Sequence, residues 1–475
     1  MRIQPPNPES PLSKPASHAF AALPISTALR DNLADLGFRE LTPIQSQALP
    51  ALLEGRDVIG QAKTGSGKTV AFGLGVLNKL QAERFCVQAL VLCPTRELAD
   101  QVAQELRKLA RAIHNVKILT LCGGMPFGPQ LASLKHGAHI VVGTPGRIEE
   151  HVRKGKLSLE RVQTLVLDEA DRMLDMGFQA TLDAIVDELP TDRQTLLFSA
   201  TYPDSIEALA ARVQRDPVMV QVGEQHTQSS IEQHFYQVGD NADRARALQQ
   251  VLAYFQPEST VVFCNTKRET DEAADALRAA SFAALALHGD MEQRERDQTL
   301  VCFANGSASV LVATDVAARG LDIEELGLVI NYHLSRDPEV HVHRVGRTGR
   351  AGQRGIAASL VSSKEQYKVE RLAQLLDQPV RTEPLPEPVR GFQPLRPAMV
   401  TLQIDGGKKQ KVRPGDIVGA LTGDNGISGE DVGKIRVFDF CAYVAVKREV
   451  SRAALAKLTK GKLKGRKFRV RVVGV

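Results

Sequence analysis

The chain has 475 residues, 43% of them hydrophobic, with 60 Lys and Arg against 55 Asp and Glu. That length exceeds a single hydrophobic core and predicts two to four domains. No apolar run reaches the roughly 18 residues that a membrane span needs, and six scattered cysteines without C-x-x-C spacing argue against a zinc site or redox pair and fit reduced thiols in a cytoplasmic protein.

Residues 1–18 are expected to be a disordered tail, because the first 17 carry five prolines and no apolar core, which also argues against a secretory signal. Residues 19–213 alternate short apolar runs ("DVIGQA", "ALVLCP", "VKILTL", "HIVVGT", "TLVLDEA", "TLLFSAT") with helical patterns, which predicts a parallel sheet covered on both faces. The rhythm breaks over the linker 214–230 and resumes in a second α/β unit, 231–376, with "STVVFCN", "FAALALH", "ASVLVATD" and "LGLVINYH". Residues 377–398 contain six prolines and read as an extended, semi-stiff spacer. Residues 399–475 read as strand, helix, strand, strand, helix, strand, and hold 17 basic and 7 acidic side chains, so a basic module follows a mildly acidic body. The fold class expected is α/β, two parallel-sheet domains in tandem followed by a small α+β domain.

In the first unit the strand "DVIG" runs into "QAKTGSGKT", residues 61–69. Gly65 and Gly67 let backbone N–H groups close on phosphate oxygens at a helix start, Lys68 reaches the outer phosphates, and Thr69 reaches Mg2+. Ala62, Lys63, Thr64 and Ser66 complete this ATP-binding loop, although Ala62 stands where the general P-loop pattern has glycine. Downstream, "TLVLDEAD" places acids at the carboxyl end of an apolar strand, where open parallel sheets hold ligands. Asp168 suits Mg2+, partly through water, and Glu169 suits the base that activates the attacking water. In the second unit "HRVGRTGR" gathers His343, Arg344, Arg347 and Arg350, of which Arg347 and Arg350 are candidate arginine fingers and His343 a coupling residue.

These motifs, in this order from about Phe20 to Leu376, resemble those of the DEAD-box RNA helicases. The resemblance implies two RecA-like domains that close on ATP and RNA together and separate short duplexes without walking. "GFRELTPIQ" is similar to the Q motif, with Phe20 as its upstream aromatic, Phe38 on the adenine and Gln45 reading it. Ala62 is then the family's usual residue. "SAT" implies that Ser199 and Thr201 couple hydrolysis to strand separation through Asp171, and Asp322 lies near the ribose. RNA contacts carried over by motif are Thr95, Arg96, Gly124, Thr144 and Arg147 in the first unit and Thr266, Gln293, Arg296 and Thr314 in the second. A DNA translocase or a non-hydrolysing RNA clamp shares part of this pattern, but the combined motifs and intact Glu169 favour a helicase.

The basic module resembles an RNA recognition motif, and the whole chain the bacterial DbpA type of this family. That likeness implies a hairpin of large-subunit ribosomal RNA and pre-ribosomal particles as partners, and a monomeric enzyme. Tyr443 is the one aromatic offered by the strand "CAYVAVK", sharing a face with Lys447 if Val444 and Val446 point inward. In "GRKFRVRVVG" alternation puts Phe468, Val470 and Val472 inward and Lys467, Arg469 and Arg471 outward. Charges on one edge strand can simply discourage aggregation, yet 11 basic residues and a single acid between Lys447 and Arg471, among them Lys464 and Arg466, exceed that need and point to RNA.

Overall fold

The computed structural model describes residues 20–62, 65–222, 231–239, 241–318, 326–349 and 355–474. The chain divides into two compact units, Met1–Glu224 and Gln225–Val475. In the first, seven parallel strands lie in the order β3-β4-β2-β5-β6-β1-β7: β1 (Val58–Gln61), β2 (Ala89–Leu92), β3 (Ile118–Leu121), β4 (Ile140–Gly143), β5 (Thr164–Asp168), β6 (Gln194–Ser199) and β7 (Val218–Gln221). Parallel strands need crossovers, and the helices that provide them cover both faces. Along β2, Ala89 and Val91 therefore enter one core while Leu90 and Leu92 enter the other. Because β5, β6 and β1 are neighbours, the loops leaving their carboxyl ends, which carry the acidic, "SAT" and glycine-rich motifs, meet at one edge.

The second unit begins with a six-stranded parallel sheet, ordered β10-β11-β9-β12-β13-β8, built from β8 (Ile231–Val238), β9 (Thr260–Cys264), β10 (Ala284–Leu287), β11 (Val310–Thr314), β12 (Leu328–Asn331) and β13 (Gly355–Ser362). It again separates two cores, with Val262 and Cys264 on one face and Val261 and Phe263 on the other. The Pro-rich stretch that follows is not a free spacer. The Glu383 N–H donates to the Phe235 carbonyl, the Gln237 N–H donates to the Glu383 carbonyl, and Phe392 packs on Phe282 with centroids 5.9 Å apart. The edge strand β8 has open backbone groups, and this segment satisfies some of them.

The C-terminal module is a four-stranded antiparallel sheet, β15-β16-β14-β17, of β14 (Met399–Ile404), β15 (Val432–Val437), β16 (Ala442–Lys447) and β17 (Val470–Val473). Leu402, Ile404, Val444, Val446 and Val470 face the helices Pro414–Thr422 and Ser451–Lys460. Val472 is in register with the buried Leu402 but stays 54% exposed, a departure from expectation on a strand at the edge of the sheet. The opposite face of the sheet is covered as well. Tyr443 and Val473 pack against Val301 and Cys302 of the preceding α/β domain, and Thr401 is bonded to Asn305 at 3.1 Å and to Ser307 at 2.6 Å. All six cysteines are free thiols, and no helix among the described residues is long and apolar enough to cross a membrane.

Candidate active site and RNA interface

The glycine-rich loop turns β1 into the helix Lys68–Lys79. Gly67 has φ +95°, and a Cβ there would lie 2.5 Å from Gln45 Nε2, so only glycine fits this turn. Lys68 is buried, and its ammonium donates to the Ala62 carbonyl at 2.6 Å. Thr69 and Ser66 are half-buried and Gly65 is exposed, while Lys63 and Thr64 lie outside the described residues. Phe20 is buried and packs on the half-buried Phe38, centroids 5.8 Å apart.

Gln45 does something that its motif does not announce. Its Oε1 accepts from the Thr42 N–H at 2.9 Å and its Nε2 donates to the Gly67 carbonyl at 3.1 Å. The amide thus ties the helix Pro43–Glu54 to the phosphate loop, and only its second N–H and lone pair remain for reading a base.

At the end of β5, Asp168 is 3% exposed, and burial pushes its carboxyl up to about 6 against the pull of Lys68. Asp168 Oδ1 and Ser66 Oγ are buried without a hydrogen-bond partner, the condition expected of groups that complete their shells on a ligand or ion. With Lys68 and the Gly67 turn, these donors and acceptors fit a magnesium nucleotide. Glu169 adopts a left-handed backbone, φ +55°, which is uncommon for a residue with a side chain and turns the chain sharply into the next helix. Its carboxylate pairs with Arg172 at 2.7 Å, both side chains being buried. Arg172 was not singled out by the sequence motifs; the i, i+3 spacing of opposite charges was the available signal.

Asp171 joins two motifs. Its Oδ2 accepts from the Ala200 N–H at 3.1 Å, the Thr201 N–H at 3.0 Å and the Thr201 hydroxyl at 3.1 Å. Burial is the largest influence and opposes the Asp171 charge, but the hydrogen bonds it accepts, those from Thr201 foremost, and the Arg172 charge together hold the carboxyl below the usual carboxylate range. Ser199 is wholly buried at the end of β6.

Family models match three stretches: a DEAD/DEAH box helicase over residues 42–209, a helicase conserved C-terminal domain over 243–352, and a DbpA RNA binding domain over 401–472. The ATP-dependent RNA helicase DbpA of Escherichia coli strain K12 is 53% identical over 96% of this chain and 99% of its own length. The chain belongs to the DEAD-box RNA helicase family. The DEAD-box ATP-dependent RNA helicase CshA of Geobacillus kaustophilus is 43% identical over 79% of this chain and 80% of its own. Among solved structures, Saccharomyces cerevisiae Dbp5 bound to RNA and ADP BeF3 superposes with a TM-score of 0.68 at 28% identity, covering 78% of this chain and 96% of that one.

In this DEAD-box helicase two of the motif threonines at strand ends cap helices with their side chains, Thr95 accepting from the Leu98 N–H at 3.3 Å and Thr266 from the Glu269 N–H at 3.2 Å. Thr144 Oγ1 instead accepts from the Gly123 N–H at 3.2 Å. Arg96 opens the helix Arg96–Leu109, Gly124 is exposed, and Arg147, in the helix Pro145–Arg153, donates to the Met125 carbonyl at 2.8 Å. Gln293 opens the helix Gln293–Ala304, which also carries Arg296, and Thr314 ends β11. His343 is half-buried and Arg347 buried, whereas Arg350 and Asp322 lie outside the described residues.

Arg344 is structural. It is 2% exposed and pairs bidentately with Asp315 at 2.6 and 2.7 Å, so the "HRVGRTGR" run divides into a buried staple and its neighbours.

The module requires one correction. Tyr443 is 1% exposed, beneath the α/β domain, and is not open to stack on a base. Alternation correctly set it opposite Val444 and Val446; it did not reveal that a neighbouring domain covers that face. Lys447 and Lys464 are exposed but pair with Asp431 at 2.8 Å and Asp416 at 3.1 Å. Arg466, Lys467 and Arg469 are exposed, and Arg471 donates to Gln403 at 3.1 Å.

Proposed function

We propose that this chain is an ATP-dependent RNA helicase that couples ATP hydrolysis to local, non-processive separation of RNA strands, anchored by its C-terminal module to a hairpin of large-subunit ribosomal RNA during ribosome assembly. It acts as a monomer in the cytoplasm. The observation that carries the reading is the meeting of the phosphate loop, Asp168–Asp171 and Ser199–Thr201 at adjacent strand ends, with Asp171 bonded across two of them. Lys68 and the loop amides would hold the triphosphate, and Thr69 and Asp168 would hold Mg2+, which would neutralise phosphate charge there. Glu169 takes the proton of the attacking water, and Arg347 and Arg350 stabilise the charge that develops on the transferred phosphoryl group. Asp322 meets the ribose. Thr95, Arg96, Gly124, Thr144, Arg147, Thr266, Gln293, Arg296 and Thr314 grip the RNA backbone.

Asp171→Asn tests the coupling. Asparagine keeps the shape but replaces charge-assisted bonds with weaker ones, so strands separated per ATP should fall about 10-fold while ATP binding persists. Equal yields in both proteins would take Asp171 out of the coupling path.

The anchor is best tested on the full chain, since truncation near Arg396 would uncover Val301 and Cys302. With Lys462, Lys464, Arg466 and Lys467 changed to glutamine, ATPase stimulation by a large-subunit ribosomal RNA fragment should need at least ~10-fold more RNA, with kcat unchanged. Retained preference over unrelated RNA would move the address elsewhere.

A further inference from the structure

The module has a second feature that neither the sheet nor the terminal basic run accounts for. Gly406 and Gly407 are buried, and a Cβ on them would lie 2.4 Å from the Phe468 ring and 2.2 Å from the Phe438 carbonyl oxygen. Gly407 therefore lets the turn Lys408–Gln410 lie directly on the turn Phe438–Cys441, and Gly406 lets the chain pass over the Phe468 ring. Two backbone bonds lock them, from the Lys408 N–H to the Phe438 carbonyl at 2.8 Å and from the Lys409 N–H to the Asp439 carbonyl at 2.9 Å. At the tip stands Phe440, 65% exposed. Lys408, Lys409 and Lys411, on or next to the turn bonded to this one, are exposed, and among the described residues none of the three has an ion-pair partner.

The base of this turn is rigid. Phe438 packs edge-on against Tyr443, centroids 5.7 Å apart, and joins the apolar contact with Val301 and Cys302. The neighbouring Cys441 feels the charge of Arg294, beside Gln293 at the start of the helix Gln293–Ala304. A single exposed aromatic is ordinary on a protein surface. An aromatic fixed on a braced turn, with unpaired cations on the turn bonded to it and adjoining a segment assigned to RNA, has the composition of a single-strand stacking site.

We propose that Phe440 stacks on an unpaired RNA base while Lys408, Lys409 and Lys411 hold the flanking phosphates. This deepens the reading of the module as an RNA anchor and rests on it. The site favours looped or junction nucleotides, because a base inside a duplex does not present its face.

The test uses the full chain and two probes, an in vitro transcript of a large-subunit ribosomal RNA fragment with unpaired loops and a blunt, fully paired RNA duplex. Phe440→Ala should weaken binding of the first by about 5- to 100-fold and leave the second unchanged, with the same salt dependence as the parent, since stacking releases no counterions. Phe440→Tyr should restore affinity. A Lys408→Gln and Lys409→Gln double variant should weaken both probes and flatten the salt dependence. An unchanged melting temperature for Phe440→Ala, expected of an exposed tip, excludes misfolding, and Phe440→Tyr binding decides the matter if melting does shift. Unaltered binding of Phe440→Ala overturns the platform and leaves the patch to an acidic protein surface. If the Lys462, Lys464, Arg466 and Lys467 variant still loses its ribosomal RNA preference, the anchor reading stands without the platform; if that variant also binds normally, the anchor reading itself fails.

Discussion

Glu169→Gln should retain ATP-dependent RNA binding while steady-state ATP turnover falls by about 10²- to 10⁴-fold. Glutamine preserves the side-chain shape at a position where the backbone is already committed to φ +55°, and its carbonyl oxygen can still accept from Arg172. What it cannot do is take a proton. The remaining catalytic terms, positioning by the phosphate loop and charge neutralisation by Lys68 and the arginines, persist in the variant, which is why the loss stops short of abolition. Because Arg172 is buried beside this carboxylate, the variant also removes half of a buried ion pair, so its melting temperature must be recorded with its kinetics. A protein that melts normally, binds RNA with ATP and turns over at the parent rate would remove Glu169 from the role of base.

The sequence shows the strands that are apolar runs. β1 to β6 and β9 to β12 coincide with such runs, the inner ones because a strand buried on both faces must be apolar throughout, and the edge strands β3 and β10 because they too are mostly apolar. β7 and β8 border the sheets and are partly exposed, so their mixed composition read as the place where the rhythm broke. β13, Gly-Ile-Ala-Ala-Ser-Leu-Val-Ser, has small residues in place of large ones and gave no apolar run, although most of it is buried.

The chemical motifs were legible because each is local: a glycine turn before a helix, acids after a strand. Partners distant in sequence were not. Nothing near Gln45 announces Gly67, and nothing near Tyr443 announces Cys302, since both contacts exist only after separate elements have packed. The buried face of the C-terminal sheet changes where RNA contacts are sought, moving them from the strands to the turns and the terminal cations.

Arg344→Met should destabilise the second α/β domain by about 3–5 kcal/mol, lowering its melting temperature by roughly 6–20 °C. All five guanidinium hydrogens have acceptors: Asp315 takes two, and Asn265 Oδ1, Asn331 Oδ1 and the His333 carbonyl take the others at 3.0, 3.1 and 2.7 Å. The group also lies 5.3 Å from the Phe263 ring centroid. These acceptors follow the carboxyl ends of β9, β11 and β12, so one side chain clamps the three strands that present Thr266 and Thr314. Methionine fills much of the volume but leaves the Asp315 carboxylate, the buried Asn331 amide oxygen and the His333 carbonyl without this donor. Lysine is no substitute, because an ammonium cannot form the planar bidentate pair while reaching three further acceptors. Loss of a transition-state arginine has the opposite signature, a lower kcat at an unchanged melting temperature. A melting experiment should therefore show the Arg344→Met loss to be structural, and an Arg344 variant that melts like the parent yet fails to hydrolyse ATP would assign this guanidinium to the chemistry instead.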